Sequence, residues 1–306
     1  MKAWLKNSSG TRASGNSVLC TGYVIFESGG STCRPGAMKK ILNLLGLFAC
    51  CAARAQTIEW PNHKKAVIVL TYDDALQSQL DVAVPQLRNA GFKATFFLTC
   101  DIDYNTIPRW RALAKKGFEL ANHSLFHPCL SSKDNPVFSD HYTPGQMAGE
   151  IDVMNNLLFA LDGKSVRTYA YPCTETTVGG IDYVDTLRQY NLVKYARIGG
   201  DTSAVITDFS HLDFFRVPSM GVADNTDTAD KLIGFVDSVR QRSGMGIIMF
   251  HGIGGDYITT SSKAHQDLLD YLRKNRDLFW ITTFQEAMDY VAHWRALQQP
   301  KVGLRR

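Results

Sequence analysis

Five residues have the type and spacing to do chemistry together. Asp73 and Asp74 follow directly on the apolar run Leu70-Thr71-Tyr72. Neighbouring carboxylates disfavour joint ionisation, so the pair calls for a cation or a shared proton. The competing reading is a helix N-cap followed by a first-turn acid, since Asp serves both purposes. His123 and His127 lie four residues apart in Asn122-His123-Ser124-Leu125-Phe126-His127-Pro128. That spacing sets both imidazoles on one side of a helical turn or tight loop. Two neutral imidazoles and a carboxylate suit zinc, cobalt or another late divalent metal. Ser124 stands where a metalloprotease H-E-x-x-H motif needs Glu. His251 ends the apolar run Ile247-Ile248-Met249-Phe250. It reads as a proton donor facing the metal from across the site, with a packed or capping histidine as the alternative.

These residues fall at the ends of segments that read as buried strands. Ala66–Thr71 is a continuous apolar run of parallel-strand type. Ala94–Thr99, Phe118–Asn122, Val166–Tyr171, Val193–Ile198, Gly246–Phe250 and Phe279–Thr282 read as further strands, with a short one possible at Asp213–Val217. Helical patterns separate them at Asp81–Ala90, Ile107–Lys116, Pro144–Leu161, Ile181–Tyr190, Thr226–Arg242, Ser262–Asn275 and Phe284–Trp294. The alternation predicts one α/β domain, barrel or doubly wound, and the number of repeats favours a barrel. In either fold the carboxyl ends of the strands form the rim where ligands bind.

With those motifs in view, the chain resembles the polysaccharide deacetylases, the family 4 carbohydrate esterases or NodB-homology domain. Thr71-Tyr72-Asp73-Asp74, His123-Ser124-x-x-His127-Pro128 and the strand ending in His251 correspond to that family's first, second and fifth motifs. The resemblance implies a single distorted (β/α)7 TIM-like barrel over residues 62–295. It implies a metal-dependent hydrolase that removes acetyl groups from carbohydrate, first an N-acetylated glycan. An O-acetyl esterase acting on xylan or a similar polysaccharide is the enzymic alternative. A catalytically weak, metal-containing carbohydrate-binding protein is the alternative of another class. By motif position Asp73 is the general base and His251 the general acid. Asp74, His123 and His127 hold one divalent metal, zinc first, with cobalt, nickel or manganese as alternatives. Tyr171, Pro172 and Cys173 form the oxyanion and substrate loop.

Two motifs depart from the family pattern. Ala170 stands at the usual arginine of the third motif, and Arg197-Ile198-Gly199-Gly200-Asp201 replaces an Asp-Trp pair in the fourth. A base still needs orienting, so another cation is expected at the rim. Arg197 is the candidate because strand alternation places it on one face with Val193 and Tyr195; Arg216 is the competitor.

Composition bounds the remaining classes. The 306 residues are 45% hydrophobic and 20% charged, enough apolar material for a sizeable core. Of 33 basic and 29 acidic residues, seven and one fall in residues 1–55, which leaves the remainder at a net charge of −2. A nucleic-acid partner therefore has no electrostatic support there. Met38-Lys39-Lys40, the apolar run to Ala53 and Ala53-Arg54-Ala55 read as an export signal over 38–55, with lipidation at Cys50 as a variant. Residues 1–37 read as a mis-extended leader and 296–306 as a basic tail. Processing would leave no integral membrane segment, and the destination is periplasmic, secreted or lipid-anchored. Cys100, Cys129 and Cys173 remain after cleavage. Cys129 and Cys173 should reach the same rim, either bonded or as two thiols. Asp101, Asp103 and Tyr104 are groove candidates, whereas Trp110, Trp280, Trp294 and His265 read as structural.

Overall fold

A computed structural model describes residues 58–130, 138–199, 204–223 and 226–299. The leader, the export segment, Asp201 and residues 300–306 of the tail lie outside the described residues. The strands, in chain order, are β1 (Ala66–Asp73), β2 (Thr95–Leu98), β3 (Glu119–Asn122), β4 (Thr168–Ala170), β5 (Thr177–Val178), β6 (Ile181–Asp182), β7 (Tyr195–Arg197), β8 (Val205–Ile206), β9 (Met220–Gly221), β10 (Met245–Phe250) and β11 (Phe279–Thr282). The α-helices are α1 (Val84–Ala90), α2 (Ile107–Lys115), α3 (Pro144–Asp162), α4 (Val184–Tyr190), α5 (Ala229–Gln241), α6 (Ser262–Lys274) and α7 (Phe284–Gln298).

β7, β4, β3, β2, β1 and β10 lie side by side and parallel. The ring closes through Val217, which bridges to Arg197, and through β9, which pairs with Ile248–Met249 of β10. This gives a seven-stranded, distorted (β/α) barrel. β11 adds to the first half of β1, and β8 runs antiparallel beside the start of β10.

Alternation along the strands sorts side chains between two environments. Val67, Val69, Phe97, Ala121, Ala170, Tyr195, Val217, Met245 and Ile247 pack inside the barrel. Ile68, Leu70, Tyr72, Phe96, Leu98, Leu120, Ile248 and Phe250 pack outward against the helices. Asp73, His123, Arg197 and His251 continue the inward series at the carboxyl ends of β1, β3, β7 and β10. At the other end α7 plugs the barrel with Phe284, Ala287, Met288 and Val291. There the buried Glu119 carboxylate accepts from Thr95, Thr168 and the Gln285 N–H.

Several boundaries differ from expectation. Ile181 and Asp182 form a hairpin strand with β5, and only Val184–Tyr190 is helical. Gly179 and Gly180, at φ 55° and 74°, supply the turn that the helical pattern concealed. The stretch Asp213–Val217 contributes one bridge rather than a strand, and the ring strand is β9. The helix expected from Asp81 begins as a π turn at Gln79–Ala83. The core also extends beyond residues 62–295: Trp60 is buried against Phe209, and α7 runs to Gln298. Trp110 and His265 are buried structural residues, His265 hydrogen-bonding Tyr72 and Gln86. Trp280 packs against Trp60 and Tyr290. No described helix is long and apolar enough to cross a membrane.

The Phe284 ring lies 5.9 Å from Phe97 and is fully buried. Phe284→Ala should therefore cost about 3–5 kcal/mol, the range for a buried aromatic truncated to alanine. A lowered denaturant midpoint at unchanged slope would report it.

Candidate metal and hydrolytic site

Asp73 and Asp74 end β1, and the chain turns sharply there: Asp74 and Ala75 have φ of 79° and 59°. Gln79, fully buried in the π turn, donates through Nε2 to the carbonyls of Asp73 (2.5 Å) and His251 (3.2 Å). It ties the ends of β1 and β10 together. After β3, Asn122 accepts the Ser124 N–H (2.7 Å) and Ser124 Oγ accepts the His127 N–H (2.9 Å). These turns, with Ser124 at φ 63° and His127 at φ 51°, bend the His123–His127 segment back on itself. Eight of the twelve positive-φ non-glycine residues among those described lie in loops around this rim: Asp74, Ala75, Ser124, His127, Cys173, Thr174, Asp256 and Ile258. Backbone strain concentrated at one place is a mark of a functional site.

Asp74 Oδ1, His123 Nε2 and His127 Nε2 converge within 4.8 Å of one another. Asp74 Oδ1 is 3.4 Å from His123 and 3.6 Å from His127, and the two Nε2 atoms are 3.2 Å apart. His123 Nδ1 lies 2.8 Å from the Ala170 carbonyl. That contact assigns its proton to Nδ1 and leaves the Nε2 lone pair facing the cluster. Burial lowers the pKa of both His123 and His127 to about 4, so both are neutral ligands near pH 7. Among the described residues, Asp74 Oδ1 has no hydrogen-bond partner, and it is buried. Two imidazole lone pairs and an orphaned carboxylate oxygen fit a divalent metal. A second grouping, His127 with Cys129 and Cys173, is not a ligand set because the two cysteines form a disulfide.

Asp73 has a different environment. Its Oδ2 accepts from Arg197 Nη2 at 2.5 Å, and both side chains are at most 2% exposed. Arg197 also donates to Ser219 Oγ (3.1 Å), and its guanidinium lies 4.9 Å from the Phe97 ring centroid. Arg197 is the register partner of Ala170. The cation missing from β4 thus comes from the same height on the next strand, where a small inward alanine leaves room. Arg216 instead pairs with Asp182 and Asp213. Burial alone would raise the Asp73 pKa, but the Arg197 charge and hydrogen bond, with His123 and His251 nearby, hold it below its ordinary value. Asp74 moves the other way, raised by burial and by the Asp73 charge against the opposing pull of His127.

His251 faces Asp74 from β10, with Nε2 3.8 Å from Oδ2. Its Nδ1 is buried without a hydrogen-bond partner among the described residues. Tyr171 does not enter the mouth. Its ring packs outward against Tyr169 and Tyr183, and its hydroxyl donates to the Phe215 carbonyl. Pro172 is buried and Cys173, at φ 49°, is bonded to Cys129. The disulfide pins the loop after β4 to the His127 loop, with Cys129 Sγ 3.6 Å from His127 Nδ1. Asp101, Asp103 and Tyr104 are exposed beyond β2. Sequence reasoning missed Tyr257, whose hydroxyl donates to Asp74 Oδ2 at 2.9 Å. It also missed Gln79 and Ser219. The only sequence cue for Tyr257 was its place six residues after His251, in a loop with no periodic pattern.

The Asp73–Arg197 pair makes a stability prediction for metal-free protein. Arg197→Met leaves a buried carboxylate uncompensated and should cost about 3–5 kcal/mol. The folded pKa of Asp73 is depressed, so the pair's contribution is present above the unfolded value of about 3.9. It is lost as pH falls through the lower folded value. Denaturant melts in chelator at neutral pH should show the loss, and Asp73→Asn in the Arg197→Met background should recover part of it.

Residues 61–190 match the family model described as polysaccharide deacetylase. A gellan lyase from a Bacillus species is 22% identical over 258 residues, 77% of this chain; the chain spans only 10% of that protein's length. A Mycobacterium smegmatis structure, itself a candidate polysaccharide deacetylase, covers 82% of this chain and 98% of its own at 14% identity and a TM-score of 0.57. The family 4 acetyl xylan esterase of Clostridium thermocellum, solved with a cobalt ion, covers 73% of this chain and 90% of its own at 17% identity and a TM-score of 0.50. At these identities the structures establish a shared barrel fold. The chain is thus similar to the polysaccharide deacetylase family over residues 61–190, and it shares the barrel fold of these structures.

Proposed function

We propose that the protein is a divalent-metal-dependent hydrolase that removes acetyl groups from a carbohydrate, with an N-acetylated glycan as the first substrate class. The observation that carries this reading is the pairing of two unlike sites within one mouth. Asp74, His123 and His127 form a metal-type donor set, and Arg197 holds an ionised Asp73 beside it. A divalent metal held there, zinc first, would polarise the acetyl carbonyl and lower the pKa of a water. Asp73 would accept that water's proton. Its Oδ2 is engaged by Arg197, whereas Oδ1 is buried and has no hydrogen-bond partner among the described residues. Arg197 acts through Asp73 and is a positioning residue. The Cys173 backbone N–H, in a loop anchored by the disulfide, is the candidate donor to the oxyanion of the tetrahedral intermediate. His251, at the end of the neighbouring strand β10, would protonate the departing sugar nitrogen.

One observation favours a second reading. Among the described residues, His251 Nδ1 has no hydrogen-bond partner to orient its ring. An alkoxide leaves more readily than an amine anion, so an O-acetyl ester makes a smaller demand on this donor.

The same proposal places the protein outside the cytoplasm. The Cys129–Cys173 disulfide supports an oxidising compartment, in keeping with the signal-like segment at 38–55. Mass spectrometry of protein from its native cell is expected to find a chain beginning at Gln56 or a lipid-modified Cys50.

Acetate release from matched N-acetylated and O-acetylated oligosaccharides, before and after chelation, tests the activity. Release should disappear in chelator and return with added zinc or cobalt. His123→Ala should weaken metal retention at least about tenfold, taking the loss of an outer partner as a lower bound. Arg197→Met should lower kcat by roughly ten- to a hundredfold with metal still bound. No acetate from any substrate by metal-loaded protein would favour the binding-protein alternative. Unchanged metal content in both His123→Ala and His127→Ala would remove the ligand assignment.

A further inference from the structure

The loop from Gly252 to Thr260 is built more tightly than a connection needs. Its ends are clasped by Gly254 N–H to the Thr260 carbonyl (2.8 Å) and Thr260 N–H to the Gly252 carbonyl (2.9 Å). Its interior is tied across the mouth to Ser78, in the segment after β1. Ser78 N–H donates to Asp256 Oδ2 (2.8 Å), and Ser78 Oγ accepts from the Ile253 N–H (3.1 Å). Ser78 Oγ also lies 3.3 Å from the Gly255 carbonyl. A side chain at Gly252 would collide with the Gly255 carbonyl, its Cβ falling 2.1 Å from that oxygen. The two residues flanking Tyr257 both have positive φ, 60° at Asp256 and 45° at Ile258. For a β-branched residue such as Ile258 this is a genuine outlier. Strain of that kind persists only where surrounding contacts impose it.

The outcome of this construction is one contact. Tyr257 turns inward, and its hydroxyl donates to Asp74 Oδ2 at 2.9 Å, although the residue remains 53% exposed. Asp74 Oδ1, the other oxygen, faces His123 and His127 with no hydrogen-bond donor among the described residues. The Tyr257 hydroxyl thus engages one oxygen, fixes the carboxylate's rotation and leaves the second oxygen for a metal. His123 is held in the same manner by the Ala170 carbonyl on its Nδ1. Outer hydrogen bonds of this type orient metal ligands generally.

From this geometry we infer that Tyr257 is a positioning residue of the metal centre, and that the Gly252–Thr260 loop exists to deliver its hydroxyl to Asp74. The inference rests on the reading of Asp74, His123 and His127 as metal ligands. It adds a third element, the loop after β10, to the two that carry those ligands, the end of β1 and the segment after β3.

The test uses the full chain, stripped of metal and titrated with Zn(II) against a chromogenic chelator, and with Co(II) followed by its visible absorption. Tyr257→Phe keeps the ring and removes only the hydroxyl. It should weaken metal affinity by about ten- to a hundredfold and change the Co(II) spectrum, because the carboxylate is free to rotate. Its metal-free denaturation midpoint should fall only by the loss of that one hydrogen bond, with the cooperative transition retained. Tyr257→Leu should show the same loss of affinity. Affinity and spectrum unchanged in Tyr257→Phe would overturn the inference, as would a loss confined to Tyr257→Leu, which would assign the effect to ring packing. Failure of the unsubstituted chain to bind either metal would overturn instead the ligand assignment on which the inference rests.

Discussion

Burying two adjacent carboxylates at the end of one strand is the constraint around which the rim is arranged. Asp73 and Asp74 are 2% and 6% exposed. Neither the barrel interior nor a neighbouring like charge tolerates an uncompensated carboxylate. The protein solves the two cases differently. Asp73 receives a permanent cation, Arg197, through a short buried contact. Asp74 receives one hydroxyl and two neutral imidazoles, an arrangement that leaves negative charge available for a metal. The pKa directions follow: Asp73 is held down and Asp74 pushed up. Much of the surrounding packing serves that division. Ala170 is small where the guanidinium must pass, Phe97 offers it a flat face, and Ser219 takes a second nitrogen.

The rim loops are correspondingly strained, while the barrel below them is regular. Inward-facing Val67, Val69, Phe97 and Ile247 form an apolar layer closed from beneath by α7. Such a layer is close-packed and resists deformation. It gives the strand ends a rigid base on which turns with unfavourable φ can be held. The Cys129–Cys173 bond and the Ser78 contacts connect loops that have no backbone ladder of their own.

The likeness to the polysaccharide deacetylase model covers residues 61–190, and the cation that meets Asp73 comes from beyond it. The third-motif arginine position is Ala170, and the guanidinium reaches the aspartate from Arg197, its register partner. A parallel pair places residues of adjacent strands at one height, so the Arg197 side chain enters the barrel at the level of Ala170 and meets the Asp73 carboxylate. No equivalent relocation accompanies the fourth motif among the described residues, where His251 Nδ1 remains without a hydrogen-bond partner.

Asp73, Asp74, His123, His127 and His251 were legible in the sequence because each ends an apolar run or occupies a tight local spacing, and such runs in a parallel fold end at one rim. Strand alternation also placed Arg197 on a defined face, although its pairing depended on the register between β4 and β7. The β5–β6 hairpin was hidden because Ile181 and Val184 lie at helical spacing, and period alone does not distinguish a hairpin strand from a helical turn. Tyr257 and Gln79 were illegible for a different reason. Tyr257 lies 183 residues from the aspartate it contacts, in a loop without periodicity. Gln79 lies close to Asp73 in sequence, but its second partner, the His251 carbonyl, is 172 residues away. The sequence by itself therefore determined the chemical types at the rim and the strands that carry them. Tertiary structure alone decided which donor meets each carboxylate oxygen, because those contacts depend on how loops close across a barrel and not on any local repeat.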